Sequence, residues 1–144
     1  NGPIDVVVTH MRQTSSTNSD TLKSTLVGGN YNFGIVKPFL AYGWNKGSNI
    51  PGVAGIDTRD MLVGLTAPIG AAGTLMASYI KKKDKQIDND DTNQIAIGYS
   101  HNLSSRTALY TAFSRTANDG NANRNVDGFG QSEKLYQVGV RHKF

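Results

Sequence analysis

Apolar and polar residues alternate along most of this chain with a period of two. Ile4, Val6 and Val8 share a face, with Asp5, Val7 and Thr9 opposite. Val36, Pro38, Leu40, Tyr42 and Trp44 oppose Lys37, Phe39, Ala41, Gly43 and Asn45. Met61, Val63, Leu65, Ala67 and Ile69 oppose Asp60, Leu62, Gly64 and Thr66. Leu75, Ala77 and Tyr79 oppose Thr74, Met76, Ser78 and Ile80, and Ile95, Ile97, Tyr99 and Leu103 oppose Gln94, Ala96, Gly98, Ser100 and Asn102. Tyr136, Val138, Val140, His142 and Phe144 oppose Gln137, Gly139, Arg141 and Lys143. Strict alternation is the mark of a strand, because successive side chains point to opposite faces of the pleat.

The pattern predicts eight strands, at residues 4–13, 22–33, 36–46, 59–68, 74–83, 93–103, 107–116 and 132–144. Each has about the length of a tilted strand that crosses a bilayer. One apolar and one polar face per strand fits a barrel wall with lipid on one side and water on the other. The match has exceptions: Val7, Leu26, Phe39, Leu62, Met76 and Ile80 fall on the polar face. The seventh strand is ambiguous in phase, and Leu109 and Phe113 are placed outward.

The connections carry a separate signal, because they alternate long and short. Residues 14–21, 47–56, 84–91 and 117–131 are long and polar, whereas 32–35, 68–73 and 102–106 are tight. Short turns at one end and long loops at the other are expected of an up-and-down barrel in an outer membrane, with the long loops outside. The first strand then runs outward and the last inward. Tyr31, Phe33, Tyr99 and Phe144 lie near the short-turn ends of their strands, and Tyr42 and Trp44 near a long-loop end, as two interfacial girdles would. Strands also favour aromatics in any setting, so the girdles alone do not decide.

Composition changes this picture little. The chain has 144 residues, so one domain at most. Only 38% of residues are hydrophobic, far from a membrane helix, but a barrel wall stays polar on average because alternate residues face water. There is no cysteine, which excludes disulfides and thiolate metal sites. Gly is frequent at 16 and Pro scarce at 4, as tight turns and close strand packing require. The chain opens Asn1-Gly2-Pro3, a turn sequence, and a turn needs a strand on each side. The expectation is that these residues are the C-terminal portion of a longer polypeptide.

Three stretches carry a family resemblance. They are Gly29-Asn30-Tyr31-Asn32-Phe33-Gly34, the run from Ala96 to Tyr110, and Gln137-Val138-Gly139-Val140-Arg141-His142-Lys143-Phe144. Together they resemble the last eight strands of a beta-proteobacterial general trimeric porin of the anion-preferring group. The resemblance implies an all-β, transmembrane, antiparallel up-and-down barrel of sixteen strands. Residues 1–144 would be the C-terminal part of that barrel domain, completed by a missing N-terminal half. It implies a homotrimer in the outer membrane of a Gram-negative bacterium that passes ions and small hydrophilic solutes. It also implies that Phe144 is part of the signal read by the barrel assembly machinery. The inward-folded constriction loop and most of the arginine cluster of that family come from early strands, so neither is carried over.

Candidate pore-lining charges follow from the phase. Lys37, Lys82, Arg141 and Lys143 are predicted on the polar face, with Asp5, Asp60 and Glu133. An excess of cations there would concentrate anions in the lumen. The plainer reading is a set of solvated strand-end charges. The run Lys81-Lys82-Lys83-Asp84-Lys85 could meet lipopolysaccharide phosphates beside the lipid bilayer, or be a solvated junction. No aromatics interleave it, so nucleic acid is not expected as a partner. Asp88-Asn89-Asp90-Asp91 offers oxygen ligands for a divalent cation but lacks the spacing of a calcium loop, and an acidic loop tip is the simpler reading. His10, His101 and His142 lie on separate strands with no zinc spacing. No catalytic motif, metal site or cofactor signature is found, and no enzyme is expected. The leading expectation is a passive porin. The alternatives are a self-contained eight-stranded barrel with a structural or adhesion role, and a soluble β-sandwich. Gly28, Gly43, Gly64, Ala96, Gly98 and Gly139 on the polar face favour a wide pore over a filled small barrel.

Overall fold

The computed structural model describes residues 2–16, 20–48, 50–51, 54–86, 90–124 and 126–144. They form one antiparallel sheet of β1 (Ile4–Thr14), β2 (Thr21–Tyr31), β3 (Lys37–Gly47), β4 (Ile56–Ile69), β5 (Gly73–Asp84), β6 (Thr92–Asn102), β7 (Thr107–Asn118) and β8 (Ser132–His142). Each strand pairs with its neighbours in sequence, in the order β1 to β8. Among the described residues there is no helix. All eight predicted strands are present, with ends displaced by a few residues. The sheet does not close: β1 pairs with β2 and β8 with β7, and β1 and β8 do not pair with each other. A self-contained eight-stranded barrel would require that pairing, so the alternative falls. The two outer edges are rows of unpaired backbone groups, which lipid cannot satisfy.

Register fixes the faces. Outward stand Val6, Val8, Val27, Leu40, Val63, Leu65, Leu75, Ile95, Ile97, Leu109, Phe113, Tyr136, Val138 and Val140, a continuous apolar band. Leu109 and Phe113 do point outward, and Tyr110 inward. These side chains are open, with Val138 83% and Val6 70% exposed. The strand side chains that are buried, namely Thr58, Thr92, Ala108, Thr116 and Asn118, all belong to the opposite, polar face. An apolar exterior with a polar sheltered side inverts the soluble β-sandwich and suits a wall in lipid. Aromatic pairs mark both ends of the outward face. Tyr31 and Phe33 lie 4.3 Å apart, and His142 and Phe144 5.0 Å apart, at the short-turn end. Tyr42 and Trp44 meet edge-on at 4.8 Å toward the other.

The connections sort as expected, with one exception. Residues 48–55, 85–91 and 119–131 join strands at one end, and 32–36, 70–72 and 103–106 at the other. The first hairpin, 15–20, is little longer than 32–36, because β1 and β2 stay paired as far as Thr14 and Thr21. Two short turns use left-handed glycines: Gly34 at φ 85° and Gly70 at φ 62°. A side chain is strained in that conformation. Asn32 Oδ1 accepts the Gly34 amide at 2.9 Å and pins the first of these turns.

Candidate functional site

The register gathers Asp5, Lys37, Asp60, Lys82, Glu133 and Arg141 on the sheltered face. They are not one cluster. Lys37 Nζ reaches across β2 to Asp5 Oδ2 at 3.6 Å, and both side chains are largely exposed. Such a pair contributes under about 1 kcal/mol but cancels the field of both charges nearby. Asp60 accepts from Asn45 Nδ2 at 2.7 Å. Asn45 in turn accepts from Ser24 Oγ at 2.5 Å and donates to Thr58 Oγ1 at 3.3 Å, so a polar row crosses three strands. A second row links Gln94 to Thr116 at 3.1 Å and Thr92 to Asn118 at 3.0 Å. Lys82 is the register partner of Asp60, near the long-loop end. Arg141 lies at the other end, in a shallow cleft with Asn102, Ser104, Arg106 and Lys143.

The longest connection lies over this face. Ala122 is buried, and Asn118 Nδ2 donates to the carbonyls of Arg124 and Gln131, both at 2.9 Å. Gly130 N donates to Ala122 O at 2.8 Å, closing the loop on itself. The resulting cavity of about 380 Å³ is lined on the strand side by Thr58, Lys82, Asp84 and Thr92, and on the loop side by Asn121 and Arg124. Arg124, Asp60, Asp84 and Asp90 all lie within electrostatic reach of Lys82.

Two charges here were missed by reading the sequence. Asp84 is the last residue of β5 and faces inward with Lys82. The run of charges around it hides the continuing alternation. With Asp84 included, the strand carboxylates of this face are Asp5, Asp60, Asp84 and Glu133, against Lys37, Lys82 and Arg141. The expected cation excess therefore does not reside in the strands. Arg124 lies in a loop with no periodicity, and nothing local in the sequence shows that it lies over the wall.

Large inward side chains lie on glycines. A Cβ at Gly64 would fall into the Phe39 ring on β3, and one at Gly139 into the Tyr110 ring on β7. Leu26 borders Gly43, and Met76 borders Gly98. These are register neighbours or diagonal neighbours, the positions at which cross-strand side chains meet. Three of the apolar exceptions to the alternation, Leu26, Phe39 and Met76, thus lie against glycines of the adjoining strand.

Other candidate residues do not converge. His10 bonds Thr25 at 2.8 Å, His101 bonds Tyr99 at 3.0 Å and His142 bonds Thr107 at 2.9 Å, all on the outward face. Asp91 Oδ1 accepts the Asp84 amide at 2.8 Å, so it serves as a backbone acceptor. Asp88 and Asn89 lie outside the described residues.

An unclosed meander, apolar on one face and lined with hydrogen-bonded polar rows on the other, is a segment of transmembrane barrel wall. The family model described as Gram-negative porin matches residues 1–121, and the chain belongs to that family. Its place is accordingly the outer membrane. Outer membrane porin protein 32 of Delftia acidovorans is 34% identical, over 82% of this chain and 36% of its own length. An outer membrane porin protein of Bordetella pertussis is 31% identical, over 100% of this chain and 44% of its own. Among solved structures, an anion-selective porin from Comamonas acidovorans superposes with a TM-score of 0.84 at 28% identity, covering 100% of this chain and 46% of that one. The chain thus spans less than half the length of each of these relatives.

Proposed function

We propose that this chain forms about half the wall of a water-filled channel that passes ions and small hydrophilic solutes, with a preference for anions. The observation that carries the reading is a sheet with two chemically opposite faces and two unpaired edges. In lipid both edges need partner strands. The remainder of the same polypeptide supplies them, making residues 1–144 the C-terminal part of a sixteen-stranded barrel. Three such barrels assemble as a trimer, and Phe144, fully exposed at the short-turn end, presents its ring to the barrel assembly machinery. No reaction is catalysed. Radius and field do the selecting.

Within this half, Lys82 and Arg124 at the mouth carry the anion bias. Lys37 is offset by Asp5, and Arg141 with Lys143 acts at the exit. The Comamonas relative, described as anion-selective, supports the sign. Planar-bilayer recording of the full-length protein tests the proposal. Stepwise conductance with a reversal potential toward the anion potential is expected under a salt gradient. Insertion without conductance would overturn it.

A further inference from the structure

Asn118 is the last residue of β7, and it is buried on the inward face, with 7% of its surface exposed. It ends a register row that runs Asp60, Lys82, Thr92, Asn118 across β4, β5, β6 and β7. Thr92, itself buried, donates its hydroxyl to Asn118 Oδ1 at 3.0 Å. Asn118 Nδ2 donates to Arg124 O and to Gln131 O, each at 2.9 Å. A side-chain amide offers a carbonyl acceptor and two N–H donors in one plane. Here the wall takes the acceptor and the loop takes both donors. Asp has the same shape but, ionised, no donor to give, and Ser or Thr has only one. The amide thus joins three points remote in sequence: the neighbouring strand, the outgoing limb of the longest connection and its return just before β8. A buried polar network whose groups are all partnered is rigid.

Other bonds of this connection have different effects. Ala122 N donates to Asp119 O and Gly130 N to Ala122 O, both at 2.8 Å, and both are internal to the loop. Asp119 N donates to Asp91 O at 2.9 Å and holds the first residue after β7. The Asn118 amide reaches further, to the backbone of Arg124 itself.

Holding that backbone matters because of where Arg124 stands. Arg124 and Lys82 line the same cavity, one from the loop and one from the wall, and lie within electrostatic reach of each other. A charge acts on a passing ion over about one Debye length, roughly 10 Å at 0.1 M salt. An arginine on a loop free to swing that far would add little to the field at the mouth. We infer that Asn118 is a positioning residue for anion selectivity: its amide clasps the longest connection to the wall and so keeps Arg124 opposite Lys82. The inference rests on the porin reading and on Arg124 as a source of the anion bias.

The test is a double-mutant cycle on the full-length porin in planar bilayers, read as reversal potentials under a salt gradient at low ionic strength. N118A should move the reversal potential toward cations by a large part of the shift that R124Q gives. The double variant N118A/R124Q should lie no further than R124Q, because the amide then has no charge to place. T92V removes only the bond that orients the amide. It should shift the potential the same way by less, and not at all in the R124Q background, so it carries the test should N118A fail to assemble. An unchanged potential in a conducting N118A, or in T92V where N118A does not assemble, would overturn the inference. Shifts of N118A and R124Q that simply add would also overturn it, since Asn118 would then act other than through Arg124. No shift for R124Q alone would remove both the inference and the role of Arg124, and leave the channel standing. Unaltered protein that inserts without conducting would remove the porin reading itself.

Discussion

The two faces of this sheet are built from the same strands yet solve opposite problems. The outward face leaves bulky side chains standing open, as at Val138, Tyr136 and Val6, because lipid is their solvent. On the inward face Phe39 lies over Gly64 and Tyr110 over Gly139, and polar side chains are tied in rows such as Ser24–Asn45–Asp60. An apolar group in lipid gains nothing by lying flat. In water it gains by covering backbone and neighbours, at roughly 25 cal/mol for each Å² removed from solvent.

The sharpest way to break this contrast is to put one charge on each face at similar depth. Val63→Arg, in the middle of the outward band, should destabilise the folded full-length barrel in lipid vesicles by about 2–4 kcal/mol. Ser78→Arg, inward on β5, should cost less than about 1 kcal/mol, because its guanidinium stays in water. Urea titrations in vesicles compare the two, and equal losses would mean the faces are wrongly assigned. Gly64→Val should come next, at about 1–3 kcal/mol, since the new side chain must displace the Phe39 ring. The displaced ring should enter the lumen and lower single-channel conductance. Adding Phe39→Ala should restore the conductance, and a double variant as narrow as the single one would refute the flat-lying account.

Phe144 sharpens the difference between the ends of the wall. Its removal should reduce the yield of folded protein in the outer membrane while leaving the conductance of surviving channels unchanged. Normal yield with altered conductance would place it in the pore. The smallest effect concerns selectivity. Lys82→Glu together with Arg124→Glu should move the reversal potential toward cations, more at 0.1 M salt than at 1 M, because the Debye length falls from about 10 Å to about 3 Å. Lys37→Glu should do less, although it leaves two carboxylates facing each other, because both side chains are well solvated. Arg141→Glu, at the exit, should do least. No shift at low salt for all four reversals would leave this half as wall alone.

Much of this was legible because a strand in lipid leaves a local trace. Period two placed all eight strands, and it placed even the ambiguous β7 with Leu109 and Phe113 outward. Of the seven charges named from phase, Asp5, Lys37, Asp60, Lys82, Glu133 and Arg141 share a face, and Lys143 lies beyond the end of β8. The end of β5 was lost because Lys81 to Lys85 are nearly all charged, and alternation between charged residues is invisible to a hydrophobicity pattern. Phe39, Leu26 and Met76 looked like errors of phase. They are partners of glycines on other strands, and a pairing between distant residues has no local signature.

The sequence by itself determined the strands, their faces and, except at the first hairpin, the division between long and short connections, since each depends on near neighbours along the chain. The tertiary structure decided what register decides. It set which cation opposes which, how Asp5 neutralises Lys37 across an intervening strand, and how Ala122 and Arg124 of the longest connection come to lie over the wall beside Lys82. Those relations arise from hydrogen bonding between strands and from loop packing, where residues remote in sequence meet, and periodicity carries no record of them.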